Sequence, residues 1–182
     1  MSNATAGAAI FPAAYRIEPG DETIGGTVRL PGSKSITNRA LLAAALAQES
    51  GVIEGALFCD DSIYLADALL KLGVVISRDE RLARFRVKGA GGPFPVLDAD
   101  LFLGNAGTAT RFLTAALCLP GGRYTVDGDG RMRQRPIGEL VRALGLLGAD
   151  IDAHGLVSAV RDFILAGVAP VPAARGLFDA PE

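Results

Sequence analysis

Apolar and polar positions fall into regular patterns from Thr27 onward and lose them after Ile151. Val28 and Leu30 alternate with polar neighbours, as a half-buried strand does, and Pro31-Gly32-Ser33 then makes a turn. Residues 35–48 are rich in alanine and leucine, strong helix formers, and are predicted helical. Residues 51–55 read as a strand. Asp60-Asp61-Ser62 supplies an acidic helix start, and Ile63, Ala66, Leu69 and Leu70 recur at helical spacing until Gly73 stops the helix. Residues 74–77 and 84–88 are predicted to pair as a hairpin.

The pattern is then written a second time. Residues 101–103 read as a strand, Gly104-Asn105-Ala106-Gly107 as a turn and residues 108–119 as a helix. Residues 124–126 follow as a strand, 136–147 as a helix, and 149–151 begin another strand. Superposing the stretches sets Gly32 over Gly104, Arg39 over Arg111 and Leu41 over Leu113, all 72 positions apart. By Leu72-Gly73, over Leu147-Gly148, the spacing has grown to 75. A glycine turn, an arginine one helical turn in and a Leu-Gly stop recur in order, which points to a duplicated unit much longer than a solenoid repeat. Chance alignment of two amphipathic helices is the alternative. The first copy closes with residues 85–87, whereas the second has no equally clear closing strand. Residues 154–182 are a short apolar segment with a Pro/Ala-rich tail. At the other end, residues 1–9 read as a small, polar, disordered leader, and residues 15–17 as a short strand before the turn-forming Glu18-Pro19-Gly20-Asp21.

Composition narrows the classes of function. The chain has 182 residues, 49% of them hydrophobic and 21% charged, so a sizeable core can form. Its 18 basic and 20 acidic residues give a net charge of −2, without the basic stripe of a nucleic-acid binder, so any arginine cluster needs a local cause. The longest apolar run, residues 40–47, covers about two helical turns and is too short for a bilayer. The N-terminus lacks the basic start and apolar stretch of a secretory signal. Two cysteines and one histidine, Cys59, Cys118 and His154, offer neither a disulfide framework nor metal-ligand spacing, and read as core or surface residues. These features lead us to expect a soluble, cytoplasmic protein without a metal.

Three segments carry candidate chemistry. In Leu30-Pro-Gly-Ser-Lys-Ser-Ile-Thr-Asn-Arg39 a glycine turn enters a helix, where free N–H groups and the positive dipole end suit an anion. Lys34 adds a mobile charge, Ser35 a hydroxyl, and Arg39, four residues after Ser35, faces the same side. Such a set suits a phosphate or carboxylate. Alternatively, Ser35 only caps the helix and both cations are solvated. A nucleotide P-loop fails, because Ser33 separates Gly32 from Lys34 and position 27 is Thr. In Leu103-Gly-Asn-Ala-Gly-Thr-Ala-Thr-Arg111 two glycines allow close backbone approach to a ligand, Thr108 can cap the helix, and Arg111 points back to its mouth. A plain capped helix start is the alternative. In Asp127-Gly-Asp-Gly-Arg-Met-Arg-Gln-Arg-Pro-Ile137, Arg131, Arg133 and Arg135 alternate before Pro136. An extended chain would put all three on one side, where an anion relieves their repulsion. A solvated basic loop is the other reading.

Together these segments resemble 5-enolpyruvylshikimate-3-phosphate synthases, from about Ile17 to Ile151. The resemblance implies an α+β fold of repeated βαβαββ units around buried parallel helices with sheets outside. Two units are visible and the third is missing. Residues 1–22 would be a leader and a strand of the other lobe, residues 23–153 two units of the N-terminal lobe, and residues 154–182 a divergent tail. It also implies transfer of the enolpyruvyl group of phosphoenolpyruvate to the 5-hydroxyl of shikimate 3-phosphate, releasing phosphate, with no cofactor. By resemblance Lys34 touches both substrates, Ser35 and Arg39 hold shikimate 3-phosphate, Gly107 and Arg135 hold phosphoenolpyruvate, and Asn105 and Thr108 line the same turn. The acid/base groups belong to the second lobe, the family is monomeric, and a complementing lobe becomes a conceivable partner.

Three departures accompany the match. The family's Ser-Ser-Gln substrate loop does not occur in residues 152–182, Phe112 stands where the family commonly has proline, and the length falls below half of the family's. The expectation is therefore a truncated N-terminal part that is inactive alone. The alternatives are a non-catalytic anion-binding half-domain or an inert remnant. A sister transferase acting on UDP-N-acetylglucosamine fits less well, since it usually has Lys-Asn at Lys34-Ser35 and a loop cysteine near Arg135.

Overall fold

The computed structural model describes residue 16 and residues 25–119, 121–151 and 159–161. Contacts divide the chain at Leu30/Pro31 into two units, and every described helix and strand belongs to the second. In the first unit, residues 25–30 form no regular structure, and Val28 and Leu30 are each 80% exposed. The strand expected from their alternation is therefore absent. Alternation specifies a strand only where a neighbouring ladder and a buried face exist, and this segment pairs with no described strand. The expected strand over residues 15–17, His154 and most of the tail lie outside the described residues.

The second unit opens with α1 (Lys34–Leu46), β1 (Ser50–Glu54), α2 (Asp60–Lys71), β2 (Val75–Asp79) and β3 (Arg84–Lys88). It continues with β4 (Asp98–Phe102), α3 (Gly107–Leu117), β5 (Arg123–Asp127), a single 3-10 turn at Met132–Gln134, α4 (Gly138–Leu146), β6 (Asp150–Ile151) and β7 (Ala159–Arg161). The expected hairpin is present, with β2 antiparallel to β3 and Ile76 opposite Val87. β1 joins the other side of β3, which gives the order β1-β3-β2. The second sheet runs β4-β5-β7-β6, with β4 parallel to β5 across the α3 crossover and the remaining pairs antiparallel. β7 supplies the closing strand that sequence patterning missed. Its three residues are too few to display an alternation, and its partners β5 and β6 are fixed only by the tertiary fold.

Local chemistry sets the helix bounds. The Ser33 hydroxyl caps α1 by accepting from the Ile36 amide at 3.4 Å. The last carbonyls of α1 are met by the chain after β3, where the Ala90 and Gly91 amides donate to Ala45 and Ala47 at 2.8 Å each. That contact ends α1 at Leu46, two residues before the predicted end. α2 begins with Asp60 and Asp61 at its positive end and stops at Leu72-Gly73, where Gly73 takes φ +91°.

The core lies between the helices and the inner sheet faces. Leu41 and Ala45 of α1, Leu65 and Leu69 of α2, and Leu113 and Leu117 of α3 are fully buried, together with Phe85, Leu101 and Tyr124 from the strands. Each such leucine contributes about 1.5–3 kcal/mol relative to exposure. α1 packs against both α2 and α3, which brings the starts of these helices to the candidate site. α4 differs, since none of its residues is buried and Leu146 is 84% exposed. No helix among the described residues is long and apolar enough to cross a membrane.

Candidate functional site

The start of α1 is held against the chain that leads into α2. Gly32 is obligatory there, because a Cβ would lie 2.8 Å from the Leu57 amide nitrogen and collide with the Gly55 carbonyl. The Leu57 amide donates to the Thr37 hydroxyl at 3.0 Å, which locks the first turn in place. Lys34, half-exposed, pairs with Asp61 of α2 at 3.2 Å, so its charge is answered from within the protein and is not the mobile cation of the sequence reading. Ser35 sits in the first turn but does not cap it; that role falls to Ser33. Arg39 reaches back as its spacing required, donating from Nη1 to the Ser35 carbonyl at 3.0 Å. Its guanidinium also lies 4.9 Å from the centroid of the Phe112 ring on α3. Beside it Asn38 is fully buried, with neither amide atom partnered.

The start of α3 is more receptive to an anion than the sequence reading allowed. Thr108 was expected to cap it, but the cap position is Ala106, and no side chain caps the helix. The α3 helix begins one residue earlier than predicted, at Gly107, which leaves Thr108 half-buried inside the first turn. The positive end of the dipole is therefore open. Over it lie two guanidinium groups: a Cβ on Gly107 would sit 3.0 Å from Arg111 Nη1 and collide with Arg135 Nη1. Arg111 is fixed by donating to the Gly107 carbonyl at 2.9 Å and to the Pro136 carbonyl at 2.6 Å. Asn105, in the same turn, has a buried side-chain oxygen with no partner.

The third segment departs from its predicted shape. It is a 3-10 turn over Met132–Gln134, so the three arginines do not share one face. The Asp129 carboxylate accepts from the Arg131 and Met132 amides at 3.0 and 2.8 Å and nucleates the turn, while Met132 is buried beneath it. Arg133 turns away to a two-point pair with Asp127, its Nε donating to Oδ1 at 3.0 Å, and this contact holds the Asp127 carboxyl below its usual range. Only Arg135 is delivered to Gly107. The α4 helix starts at Gly138, so Pro136 precedes it, with its carbonyl engaged by Arg111. Repulsion among the arginines is thus met differently from the expectation: one is neutralised internally and one is sent to the α3 start.

Arg39, Arg111 and Arg135 form no ion pair among the described residues, although Lys34, Arg78, Arg84 and Arg133 do. Among the described residues, three guanidinium groups without an ion pair thus lie at the starts of two packed helices of an α+β unit, an arrangement whose chemistry suits an anion.

Comparison with known proteins gives that class a family. Residues 19–161 match the family model of EPSP synthase (3-phosphoshikimate 1-carboxyvinyltransferase). A curated protein of that name from Ralstonia pickettii is 55% identical over 134 residues, covering 74% of this chain and 31% of the relative. Another, from Thiobacillus denitrificans, is 53% identical over 137 residues, covering 75% of this chain and 32% of the relative. Among solved structures, an EPSP synthase from Acinetobacter baumannii superposes with a TM-score of 0.68 at 26% identity, over 79% of this chain and 33% of that one. The chain belongs to the EPSP synthase family. It spans about a third of the length of these relatives.

Proposed function

We propose that this chain supplies the phosphate-binding wall of a 3-phosphoshikimate 1-carboxyvinyltransferase. In that reaction the C2–O bond of phosphoenolpyruvate to its phosphate breaks, the shikimate 5-oxygen bonds to C2, the hydroxyl proton is lost and phosphate leaves. Lys34 touches both substrates, Ser35 and Arg39 hold shikimate 3-phosphate, Gly107 and Arg135 hold phosphoenolpyruvate at the open end of α3, and Asn105 and Thr108 line the same turn. The observation that supports this reading best is the meeting of Arg111 and Arg135 over Gly107 at an uncapped helix start, with no ion pair to either cation among the described residues.

The acid/base groups belong, on this reading, to the part of the family's length that this chain does not cover. Shikimate 3-phosphate-dependent release of phosphate from phosphoenolpyruvate is therefore not expected of the 182-residue polypeptide by itself. The working site forms with a second lobe, in a monomer when the lobes share one chain, and in the cytoplasm. The fold, on this reading, is a duplicated unit preceded by residues that serve the other lobe: α1 to β3 form one copy without its expected first strand, and β4 to β7 form the other, which closes at Ala159–Arg161, past the expected boundary at residue 153. The shared strand order, β1-β3-β2 and β5-β7-β6, supports the duplication.

An amide-shift titration tests the binding half of the proposal. Shikimate 3-phosphate is expected to bind with a dissociation constant of about 1 mM, or about 4 kcal/mol. Plain shikimate binds less well, and Arg39→Ala removes the difference while the fold persists. Equal responses of the wild type to both ligands, or no saturable shift, would defeat the proposal and favour an inert remnant. A non-catalytic anion-binding domain is favoured by one observation, the meeting of Arg111 and Arg135 at an uncapped helix start, which any compact anion could satisfy. It predicts that inorganic phosphate and sulfate bind as well as shikimate 3-phosphate.

A further inference from the structure

Arg39 differs from the other cation beside it. Lys34 is tied to Asp61, whereas Arg39 has no acidic partner among the described residues and meets an aromatic ring, with its guanidinium carbon 4.9 Å from the Phe112 centroid. The two partners have different consequences. A carboxylate orients a cation and also cancels its charge. A ring occupies one face of the guanidinium plane, leaves its charge intact and leaves the in-plane N–H donors on the outer edge open. One of those donors, Nη1, is engaged by the Ser35 carbonyl at 3.0 Å, which gives the guanidinium a second anchor beside the ring. A long, exposed side chain is thereby held in one orientation by a carbonyl and a π face.

Phe112 is itself well anchored. It lies on α3 between Arg111, which is tied to Gly107 and Pro136, and Leu113, which is fully buried. Its backbone therefore moves only if the start of α3 moves. The ring spans from the helix that carries Gly107 to the helix that carries Arg39, so the two anion-receptive ends share one rigid contact.

We propose that Phe112 is a positioning residue for Arg39, pre-orienting its guanidinium for a phosphate monoester. This inference rests on the proposed function, in which Arg39 answers the 3-phosphate. An arginine fixed before binding forgoes much of the ordering cost of an immobilised side chain. Removal of the ring should therefore weaken binding of the phosphorylated ligand by about two- to five-fold and leave the unphosphorylated one unchanged.

The test is an amide-shift titration of the full chain with shikimate 3-phosphate and with shikimate, in the wild type, Phe112→Tyr and Phe112→Leu. A second series places 4-fluoro-, 3,5-difluoro- and pentafluorophenylalanine at position 112, which weakens the ring quadrupole while keeping the shape of the side chain. The expected result is near-wild-type affinity in Phe112→Tyr, a two- to five-fold loss in Phe112→Leu, and a stepwise loss along the fluorinated series, all for shikimate 3-phosphate only. The fluorinated series decides the matter even where Phe112→Leu fails to fold. A wild type that does not distinguish the two ligands overturns the proposed function and this inference with it. A wild type that distinguishes them, with no weakening by pentafluorophenylalanine, overturns this inference alone. Equal losses for both ligands would make Phe112 a packing residue and would also overturn it.

Discussion

Gly107→Ala separates the stability of this domain from its chemistry. The substitution puts a methyl group at the first residue of α3, in ordinary helical backbone with no positive φ to strain. Nothing in the backbone opposes it, since the nearest atoms are the guanidinium ends of Arg135 and Arg111. Arg135 Nη1 must retreat by at least about 1 Å to restore an ordinary contact, while Arg111, tied to two carbonyls, need shift only slightly. For the fold the change is neutral to favourable, because alanine exceeds glycine in helix propensity by up to about 1 kcal/mol. For the ligand it is harmful, because a carboxylate or phosphate at the α3 start loses the Arg135 fork and meets a methyl group on the approach to the first-turn amides. Loss of one hydrogen bond to a charged group is worth about 1.5–3 kcal/mol, or roughly a ten- to hundred-fold weaker complex. Urea unfolding reads the first effect, and an amide-shift titration with phosphoenolpyruvate, at saturating shikimate 3-phosphate, reads the second. Wild-type affinity in the alanine variant would refute the placement of the ligand over Gly107. A loss of stability beyond about 1 kcal/mol would instead show that the methyl meets something less yielding than side-chain ends.

Asn38 is fully buried with both amide atoms unpartnered, so the near-isosteric Asn38→Leu should raise stability by about 1–3 kcal/mol in urea unfolding. Destabilisation would mean that buried water pairs the amide and that the site is polar by construction. The Asp127 carboxyl is held low chiefly by its hydrogen bond from Arg133, so it contributes stability above its unfolded value and loses it as pH falls through the lower folded value. Wild type should therefore exceed Asp127→Asn in stability at neutral pH, with the gap closing below about pH 5; a gap that widens in acid contradicts the pairing. Burial pushes the Cys118 thiol up, so at pH 8 a disulfide reagent should modify the half-exposed Cys59 first and Cys118 only on unfolding; equal rates would place Cys118 at the surface.

Much of the second unit was legible because its helices bury one face each. In α2, Ala66 and Leu69 of the predicted stripe are fully buried, and Gly73 stops the helix with the positive φ its position suggested. What patterning could not supply was the set of contacts that lie between elements. The end of α1 depends on Ala90 and Gly91, more than 40 residues further along. Val28 and Leu30 have the alternation of a strand and no ladder, whereas Ala159–Arg161 has a ladder and no alternation. Period alone cannot tell these cases apart, since sheet membership is decided by the neighbour.

The candidate site shows the same division at the level of charge. Sequence spacing placed Arg39 and Arg111 back over their own helix starts, since four residues make one turn, and both do donate to the carbonyl four positions earlier. It could not say which cations would be left unneutralised. Lys34 finds Asp61 across a helix boundary, and Arg133 finds Asp127 because Asp129 coils the loop into a 3-10 turn. The signal for that turn was present: an aspartate two and three residues before the amides it accepts from is a standard turn former. Reading the arginines as an extended ladder passed over it. The consequence is functional. A ladder would have offered three equivalent cations to an extended polyanion, whereas the coiled loop leaves a single one, Arg135, directed at the open end of α3 beside Arg111. Such geometry suits a small, compact anion held at a helix start, as the proposed role in binding phosphoenolpyruvate requires.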